Sequence, residues 1–289
     1  VWQIERILFA SKADLPFRLW SAGSLDFGRL KTDGTYDDRF TTTGLTLGLD
    51  ARIADGIKAG IALGYGLDRS EAGAGGSRSD ATARTALLYA GWRLAPKTFL
   101  DLTGGYGLLH YDMRRWSTAG NTMLMGERDG HALFGSIGLS RIEHIDAWKL
   151  TGYGRLDVVK LKLDAYRETG SATWALAYDD LDTTTLSAVL GFKADYRIPT
   201  EWGSVTPGLR LEYRHAFDGG YTQRIGYVDL GGLGYALSGV PAARDTLTAG
   251  LSLKALTLEE MAFLFEYLLT ATPERVESQQ VRASVKIPF

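Results

Sequence analysis

The last twelve residues of the chain, SQQVRASVKIPF (residues 278–289), alternate between apolar and polar side chains up to the final phenylalanine. This alternation indicates a β-strand with one apolar and one polar face, because successive side chains of a strand point to opposite sides. Chain ends usually fray unless something ties them down. A regular strand at the very end predicts a partner strand, and we expect it to close a β-barrel. The apolar face comprises Val281, Ala283, Val285, Ile287 and Phe289, and the polar face Gln280, Arg282, Ser284 and Lys286.

The composition excludes several classes of protein. The 289 residues carry a formal net charge of -2, so no basic surface is available to attract nucleic acid. The chain has no cysteine, which excludes disulfides, thiol nucleophiles and cysteine-based metal sites. No run approaches the roughly 18 to 20 apolar residues of a membrane-spanning helix. In a membrane barrel only alternate residues meet lipid, so the mean hydropathy of -0.09 is compatible with that fold.

Alternation recurs along almost the whole chain. Short and long connections alternate between these segments along the chain, as they do in outer-membrane barrels. The pattern therefore predicts an all-β protein, a transmembrane antiparallel up-and-down β-barrel of 12 strands. The even strand number places both termini at the short-turn end, in the periplasm, with the long loops outside the cell. The predicted strands are 17–32, 39–53, 57–69, 79–94, 98–114, 129–145, 147–166, 180–198, 203–219, 243–256, 260–271 and 278–289.

A soluble sandwich or barrel with an apolar core would show the same period. The predicted strands are longer than the usual 5 or 6 residues of soluble sheets, at roughly 12 to 18 residues. Their polar face is charged and rich in glycine. Both features favour the membrane barrel. We expect an aromatic girdle near the short-turn end, beside Phe289, formed by Trp92, Phe99, Trp148 and Trp202.

The front of the chain differs from the rest. Ile4, Ile7 and Leu8 have helical spacing, and Pro16 would end a helix. We therefore predict two parts, a short helical lead segment at 1–16 and an outer-membrane barrel at 17–289. The chain starts at Val1 without an initiator Met or a signal region, and we expect it to be the C-terminal part of a longer exported protein.

The sequence resembles the C-terminal translocator domain of the type Va autotransporters over essentially its whole length. The resemblance rests on "RLWSAGSLDFGRL" (18–30), on "TTGLTLGLDARIADGIKAGIALGYG" (42–66), on "DGHALFGSIGLS" (129–140), on "TPGLRLEYRHAF" (206–217) and on the terminal aromatic. It implies a twelve-stranded barrel in the Gram-negative outer membrane that helps an N-terminal passenger reach the cell surface. It also implies insertion by the barrel assembly machinery, and a pore-threading helix of which residues 1–16 would be the end. We expect a monomeric barrel surrounded by outer-membrane lipid.

Charged residues on the polar faces are the candidate site. A barrel of twelve strands is wide enough for one helix or an extended hairpin, and polar side chains could hold that occupant by charged hydrogen bonds. They could equally solvate the lumen and pair across strands, and both readings stay open. The candidate lumen residues are Asp50, Arg52, Lys58, Arg155, Asp157, Arg210, Glu212 and Arg214.

The C-terminal strand also resembles the signal by which the assembly machinery recognises outer-membrane barrels, and its candidate residues are Val281, Val285, Ile287 and Phe289. Some members of the family cleave their passenger at an Asn pair. The single asparagine of this chain, Asn121, lies in a predicted loop, so cleavage of that kind is not expected within residues 1–289.

No catalytic residue, metal or cofactor is predicted. The four histidines lie on separate segments, without the spacing of a metal site. Two alternatives remain. One is a stand-alone porin or adhesin barrel, with binding concentrated in the loop 220–242. The other is a Ser-His hydrolase on the lipid-facing wall, built from residues among His110, Ser136, Ser140, His144 and His215.

Overall fold

Twelve antiparallel strands form a closed barrel in the computed structural model, which describes residues 17–32, 36–73, 75–217, 220–239, 244–259, 261–272 and 276–288. Five further strands are short. The barrel strands are β1 (Phe17–Thr32), β2 (Tyr36–Ala54), β3 (Ile57–Ala72), β4 (Ser77–Ala95), β5 (Thr98–Ser117), β6 (Thr122–Ile145), β7 (Trp148–Leu163), β10 (Leu181–Tyr196), β12 (Gly203–Ala216), β15 (Asp245–Thr257), β16 (Ala262–Ala271) and β17 (Val276–Pro288). The short strands are β8 (Tyr166–Arg167), β9 (Leu176–Tyr178), β11 (Ile198–Thr200), β13 (Tyr221–Tyr227) and β14 (Tyr235–Gly239).

The first and last strands close the ring. β17 pairs with β16 on one side and with β1 on the other, from Trp20 opposite Pro288 to Leu30 opposite Ser278. We call this β1–β17 pairing the seam. β10 pairs with β12 in the same ring, so each barrel strand has two neighbours. The alternating C-terminal strand is therefore paired along its length, as the sequence predicted; Phe289 itself lies outside the described residues.

The two ends of the barrel differ. Tight turns connect β2 to β3, β4 to β5, β6 to β7 and β15 to β16, and the short β11 lies in the β10–β12 connection. These turns share one end with the start of β1 and the end of β17, which we call the short-turn end. The connections after β7 and after β12 are the longest, and they lie at the opposite, long-loop end. Among the described residues, no helix is long and apolar enough to cross a membrane.

The outer wall is apolar over a broad band. Many large aliphatic side chains there are exposed by 37% or more, for example Leu49 at 37%, Leu190 at 65% and Leu63 at 67%. The inner wall carries the opposite residues of each strand. This pattern confirms the predicted membrane barrel, since an apolar surface of this extent is compatible with lipid rather than with water.

The predicted aromatic girdle is correct in three of its four members. Trp92, Trp148 and Trp202 are exposed by 46 to 49% on strand ends or turns of the short-turn end. The prediction for the fourth member, Phe99, is wrong, because this residue is only 8% exposed and its side chain lies on the inner wall. Alternation along β5 explains the error: Phe99 lies six residues before the inward Gly105 on the same continuous strand, so the two residues share the inner face.

The region beyond the long-loop end contains more strand than predicted. β5 and β6 continue to Ser117 and Thr122, although the sequence predicted a loop at 115–128. β8, β9, β13 and β14 form a separate four-stranded sheet, in the order β14-β13-β9-β8, from two connections predicted as loops. We call it the loop sheet. It lacks an apolar face toward lipid, so the period-2 signal that reveals barrel strands is weak there.

Glycines on the inner wall make room for aromatic rings. A Cβ atom on Gly48 would overlap the indole of Trp20, and a Cβ on Gly60 would overlap the phenol of Tyr89. Both rings lie across neighbouring strands, so each glycine provides the flat surface that a ring needs. Residues 1–16, the predicted lead segment, lie outside the described residues.

The substitution Gly48→Ala should destabilise the folded barrel by about 1 to 3 kcal/mol, because the added methyl group forces the ring of Trp20 out of its position. Urea unfolding in detergent micelles would measure the loss. Gly66→Ala is the matched control on the same wall, where the nearest atoms lie at an ordinary 3.7 to 3.8 Å. Equal midpoints for the two variants would contradict this packing role for Gly48.

Candidate functional site: the barrel lumen

The inner wall holds all eight of the candidate lumen residues, because each lies on the inward parity of its strand. They do not form one cluster. One group lies on β2 and β3, a second on β7 and a third on β12, and only β10 separates the second group from the third. In chain order the groups are Asp50, Arg52 and Lys58; Arg155 and Asp157; Arg210, Glu212 and Arg214.

A chain of alternating charges crosses the seam on the inner wall. Arg210 Nη2 lies 2.8 Å from Glu266 Oε1, and Glu266 Oε2 lies 3.5 Å from Arg282 Nη1. Arg282 Nε in turn lies 2.6 Å from Asp26 Oδ1. These four side chains come from β12, β16, β17 and β1, and we call them the seam charge chain. Gln280 donates a further hydrogen bond of 2.8 Å to Asp26.

Burial makes the seam charge chain sensitive to the loss of a member. The side chains of Arg210 and Glu266 are only 7% and 9% exposed. Gly250 on β15 lies between their strands, and a Cβ there would sit 3.5 Å from Arg210 Cβ and Nε. The glycine thus lets Arg210 reach across one strand. Only Arg210 of these residues was a predicted lumen residue, because sequence alternation does not show which strands become neighbours.

An aromatic cluster lines another part of the inner wall. Trp20 Nε1 donates a 2.8 Å hydrogen bond to the hydroxyl of Tyr89, which donates one of 3.2 Å to Asp50 Oδ2. The two rings meet edge to face, with centroids 6.2 Å apart. Ala62 and Leu87 pack beneath them. Asp50 is therefore held by a hydrogen bond from β4, which the sequence did not predict.

The β7 and β12 groups carry a third set of contacts. The hydroxyl of Tyr153 donates a hydrogen bond to Glu212, and Lys193 Nζ lies 5.8 Å from the centre of the Tyr153 ring. Arg155 Nε donates hydrogen bonds of 2.8 and 2.9 Å to the carboxylate of Asp157 on the same strand. Most of the predicted lumen charges thus already have partners in the wall.

Two predicted residues differ from the others. Arg52 is exposed and Arg214 is half-buried, and within the described part of the chain neither makes a hydrogen bond or an ion pair. Cations with free donors on the inner wall are suited to bind carboxylates or carbonyl groups of a polypeptide in the lumen. Their contact with an occupant stays a prediction.

The loop sheet is fixed to the barrel by two arginines. Arg115 on β5 binds Glu168 through two hydrogen bonds of 2.8 and 2.6 Å, and Glu168 is buried. Arg128 on β6 donates to the carbonyls of Asp164 and Asp179 at 2.6 and 2.8 Å. The loops after β7 and β12 therefore form one ordered body, which includes most of the predicted binding loop 220–242.

Tyrosines form the centre of the loop sheet. The rings of Tyr166 and Tyr178 stack with centroids 4.5 Å apart. Burial is the main cause that raises the pKa of both phenols, so their hydroxyls remain protonated. Beside them lies an open cavity of about 410 Å³, lined also by Tyr227 and Leu233.

The arrangement of serines and histidines does not assemble the Ser-His pair of the alternative hypothesis. Ser136 and Ser140 point into the lumen, whereas His110 and His215 lie on outward positions and contact Asp129 and Asp245. His144 lies four residues from Ser140 on the same strand, about 13 Å away at the rise of a strand. The barrel wall therefore keeps these groups apart. In the residues that the structure describes, no group of three His, Asp or Glu side chains could hold a metal.

The substitution Glu266→Gln should destabilise the barrel by about 3 kcal/mol, since it removes the negative charge that lies 2.8 Å from the buried guanidinium of Arg210. Urea unfolding in detergent would measure the change. Glu143→Gln is the control, because Glu143 pairs with Lys97 and Arg141 at an exposed position and its loss should leave the midpoint unchanged. A Glu266→Gln midpoint equal to that of the wild type would contradict a structural role for the seam charge chain.

Comparison with solved structures supports the fold. The translocator domain of the autotransporter NalP from Neisseria meningitidis superposes with a TM-score of 0.73 at 17% identity, covering 96% of this chain and 90% of that one. The β-domain of the Bordetella autotransporter BrkA gives a TM-score of 0.69 at 17% identity, covering 95% and 100%. At these identities the likeness concerns the fold alone.

Two curated relatives are similar in sequence. Both are named Esterase EstA, from Pseudomonas aeruginosa and Pseudomonas putida, and both are 29% identical over 211 residues. The match covers 70% of this chain but only 30% of each relative. The chain thus corresponds to less than a third of the length of these relatives.

The family comparison decides the identity. The family described as Autotransporter beta-domain matches residues 19–267. This range contains nearly all of β1, the strands from β2 to β15 in full and the first part of β16, and it ends before β17. This match agrees with the closed barrel, with its apolar outer wall and with its polar lumen. The chain belongs to the autotransporter β-domain family, whose barrels are the outer-membrane translocator domains of autotransporters.

Proposed function

We propose that the barrel helps a covalently linked N-terminal passenger cross the outer membrane of a Gram-negative cell. Membership of the family supports this function. The observation that carries it furthest is the closed ring of twelve strands with an apolar outer wall and a charged inner wall. Such a ring offers a polar path through lipid for an extended segment or a single helix.

The orientation follows from the two unlike ends. The termini and the tight turns would lie in the periplasm, and the loop sheet would lie outside the cell. Residues 1–16 would form the lead into the pore, ahead of the barrel at 17–289. The barrel would act as a monomer in outer-membrane lipid, after insertion by the barrel assembly machinery.

The lumen charges would have two roles. The seam charge chain and the pairs Tyr153–Glu212 and Arg155–Asp157 would stabilise the wall, because their partners are wall residues. Arg52 and Arg214 would instead contact the passenger or its helix, since the described residues offer them no partner. Both interpretations of the lumen charges, pairing across strands and contact with an occupant of the lumen, would then hold, each for different residues.

The barrel itself would have no catalytic activity. The curated relatives are named as esterases, yet they share with this chain only 30% of their length. Any catalytic activity of the whole protein would reside in the passenger. The inward Ser136 and Ser140, kept apart from His110 and His215 by the wall, support this division.

Surface display of a reporter tests the proposed function. A signal peptide and a short epitope placed before Val1 should become accessible to antibody on intact cells, because the barrel exports what precedes it. The same fusion without β17 is the control and should display nothing, since the ring cannot close. An inserted barrel whose epitope stays periplasmic, together with a steady ion conductance in planar bilayers, would favour a stand-alone porin instead.

Deletion of Phe289 should lower the amount of barrel in the outer membrane several-fold, because the alternating C-terminal strand would serve as the assembly signal. The same deletion should change the unfolding midpoint of the refolded barrel much less. Quantitative blotting of outer membranes and urea unfolding measure the two effects. Phe289→Tyr keeps the terminal aromatic and should assemble normally; normal membrane levels of the deletion variant would rule the idea out.

A further inference from the structure

Arg84 is a charged residue on the lipid-facing wall. On β4 the outward positions in order are Trp92, Ala90, Leu88, Ala86 and Arg84, of which Trp92, Leu88, Ala86 and Arg84 are exposed. With about 2.5 Å of axial rise per tilted residue, Arg84 lies roughly 20 Å from Trp92. An apolar belt is about 25 Å tall. The guanidinium is therefore within reach of the boundary of the belt nearest the long-loop end.

In the part of the chain that the structure describes, no anion pairs with Arg84. Within the described residues its side chain makes no hydrogen bond and no ion pair. The carboxylate four residues along β4, Asp80, is already bound by Arg69 at 2.8 Å and by Arg78 at 2.6 Å. The Cα partners of Arg84 are Tyr65 on β3 and Leu108 on β5, which are 48% and 53% exposed. An arginine in such apolar surroundings is costly unless an anion joins it.

A flat patch lies on the outer wall on the short-turn side of Arg84. Gly104 and Gly135 are Cα partners on β5 and β6, and both point outward. A Cβ on Gly104 would lie 3.9 Å from its nearest atom and one on Gly135 3.5 Å, which are ordinary contact distances, so no neighbouring side chain covers either glycine. Leu88 is the partner of Gly104 on β4 and borders the patch. The result is a shallow apolar depression two strands wide, running toward the belt centre.

The cation and the depression match the two parts of a phosphorylated lipid. A guanidinium binds phosphate oxygens through two parallel hydrogen bonds. A lipid acyl chain that descends from that phosphate would lie over Ala86 and the glycine pair. The Tyr65 ring, on the adjacent strand, provides the aromatic neighbour that is typical of a membrane boundary.

We propose that Arg84, with the Gly104–Gly135 depression, is a binding site for a phosphorylated lipid of the leaflet at the long-loop end. The phosphate binds Arg84 and one acyl chain lies in the depression. The site requires membrane insertion but not passenger export, so a failure of the translocator function would leave this proposal intact, and the reverse is also true.

Lipid binding to the purified 289-residue barrel tests the site. Native mass spectrometry from a neutral detergent would measure the fraction of barrel that carries lipid. The probes are phosphatidylglycerol, diacylglycerol with the same chains but no phosphate, and inorganic phosphate. We expect preferential binding of phosphatidylglycerol, and Arg84→Gln should weaken it about tenfold, to the level of diacylglycerol.

Three further variants sharpen the experiment. Arg69→Gln is the matched control, because Arg69 is an outward arginine on the neighbouring strand that already has Asp80 as its partner. It should bind phosphatidylglycerol as the wild type does. Arg84→Lys keeps the charge and should retain part of the preference. Gly104→Leu fills the depression and should weaken phosphatidylglycerol and diacylglycerol alike.

Two outcomes would overturn the proposal. One is an equal loss of phosphatidylglycerol binding in Arg84→Gln and Arg69→Gln, or no loss in either, since the effect would then not be specific to Arg84. The other is displacement of the lipid by inorganic phosphate at comparable concentration, which would indicate a site for free anions. Heat-modifiable migration on gels would verify that each variant is folded.

Discussion

Closure of the backbone hydrogen-bond network is the constraint on which the rest of the structure depends. Lipid offers no partner to a peptide N–H or C=O, so every strand inside the membrane must have a neighbour on both sides. The seam meets this requirement by joining residues almost 270 positions apart in sequence, such as Trp20 and Pro288. Once the ring is closed, alternation alone gives each strand one side toward lipid and one toward the lumen. The division of the molecule into an apolar outer wall and a charged inner wall follows from that.

The inner wall solves the problem of placing charges and rings in a narrow space. Glycines such as Gly48, Gly60 and Gly250 remove side chains where a neighbouring ring or guanidinium crosses the strand. The seam charge chain then binds β12, β16, β17 and β1 by side chains as well as by backbone. Buried ion pairs are weak evidence for stability, but each one fits a single register. Asp26 and Arg282 are direct Cα partners, so the pair favours one alignment of the first and last strands over a slipped one.

The two ends of the barrel differ in structure and in the residues they carry. The short-turn end carries tight turns and exposed tryptophans, which suit a membrane boundary. At the long-loop end, Arg115 and Arg128 use hydrogen bonds to unite two long connections and the extended β5–β6 hairpin into one body. The outer wall in turn carries a charge at the belt boundary, since Arg84 follows a run of apolar residues on the outward face of β4.

The sequence by itself determined the fold class, the number of barrel strands and the inward or outward side of nearly every candidate residue. It could do so because the side chains of a β-strand alternate with a period of two, and the face in contact with lipid carries apolar side chains. It failed at Phe99, a large apolar residue that alternation along β5 places on the inner wall, and at the loop sheet, whose strands meet no lipid. Only the tertiary structure decided which charges meet, as in the pairing of Arg210 with Glu266 across β15. Such pairs depend on strand order and register around the closed ring, and the local sequence determines neither of them.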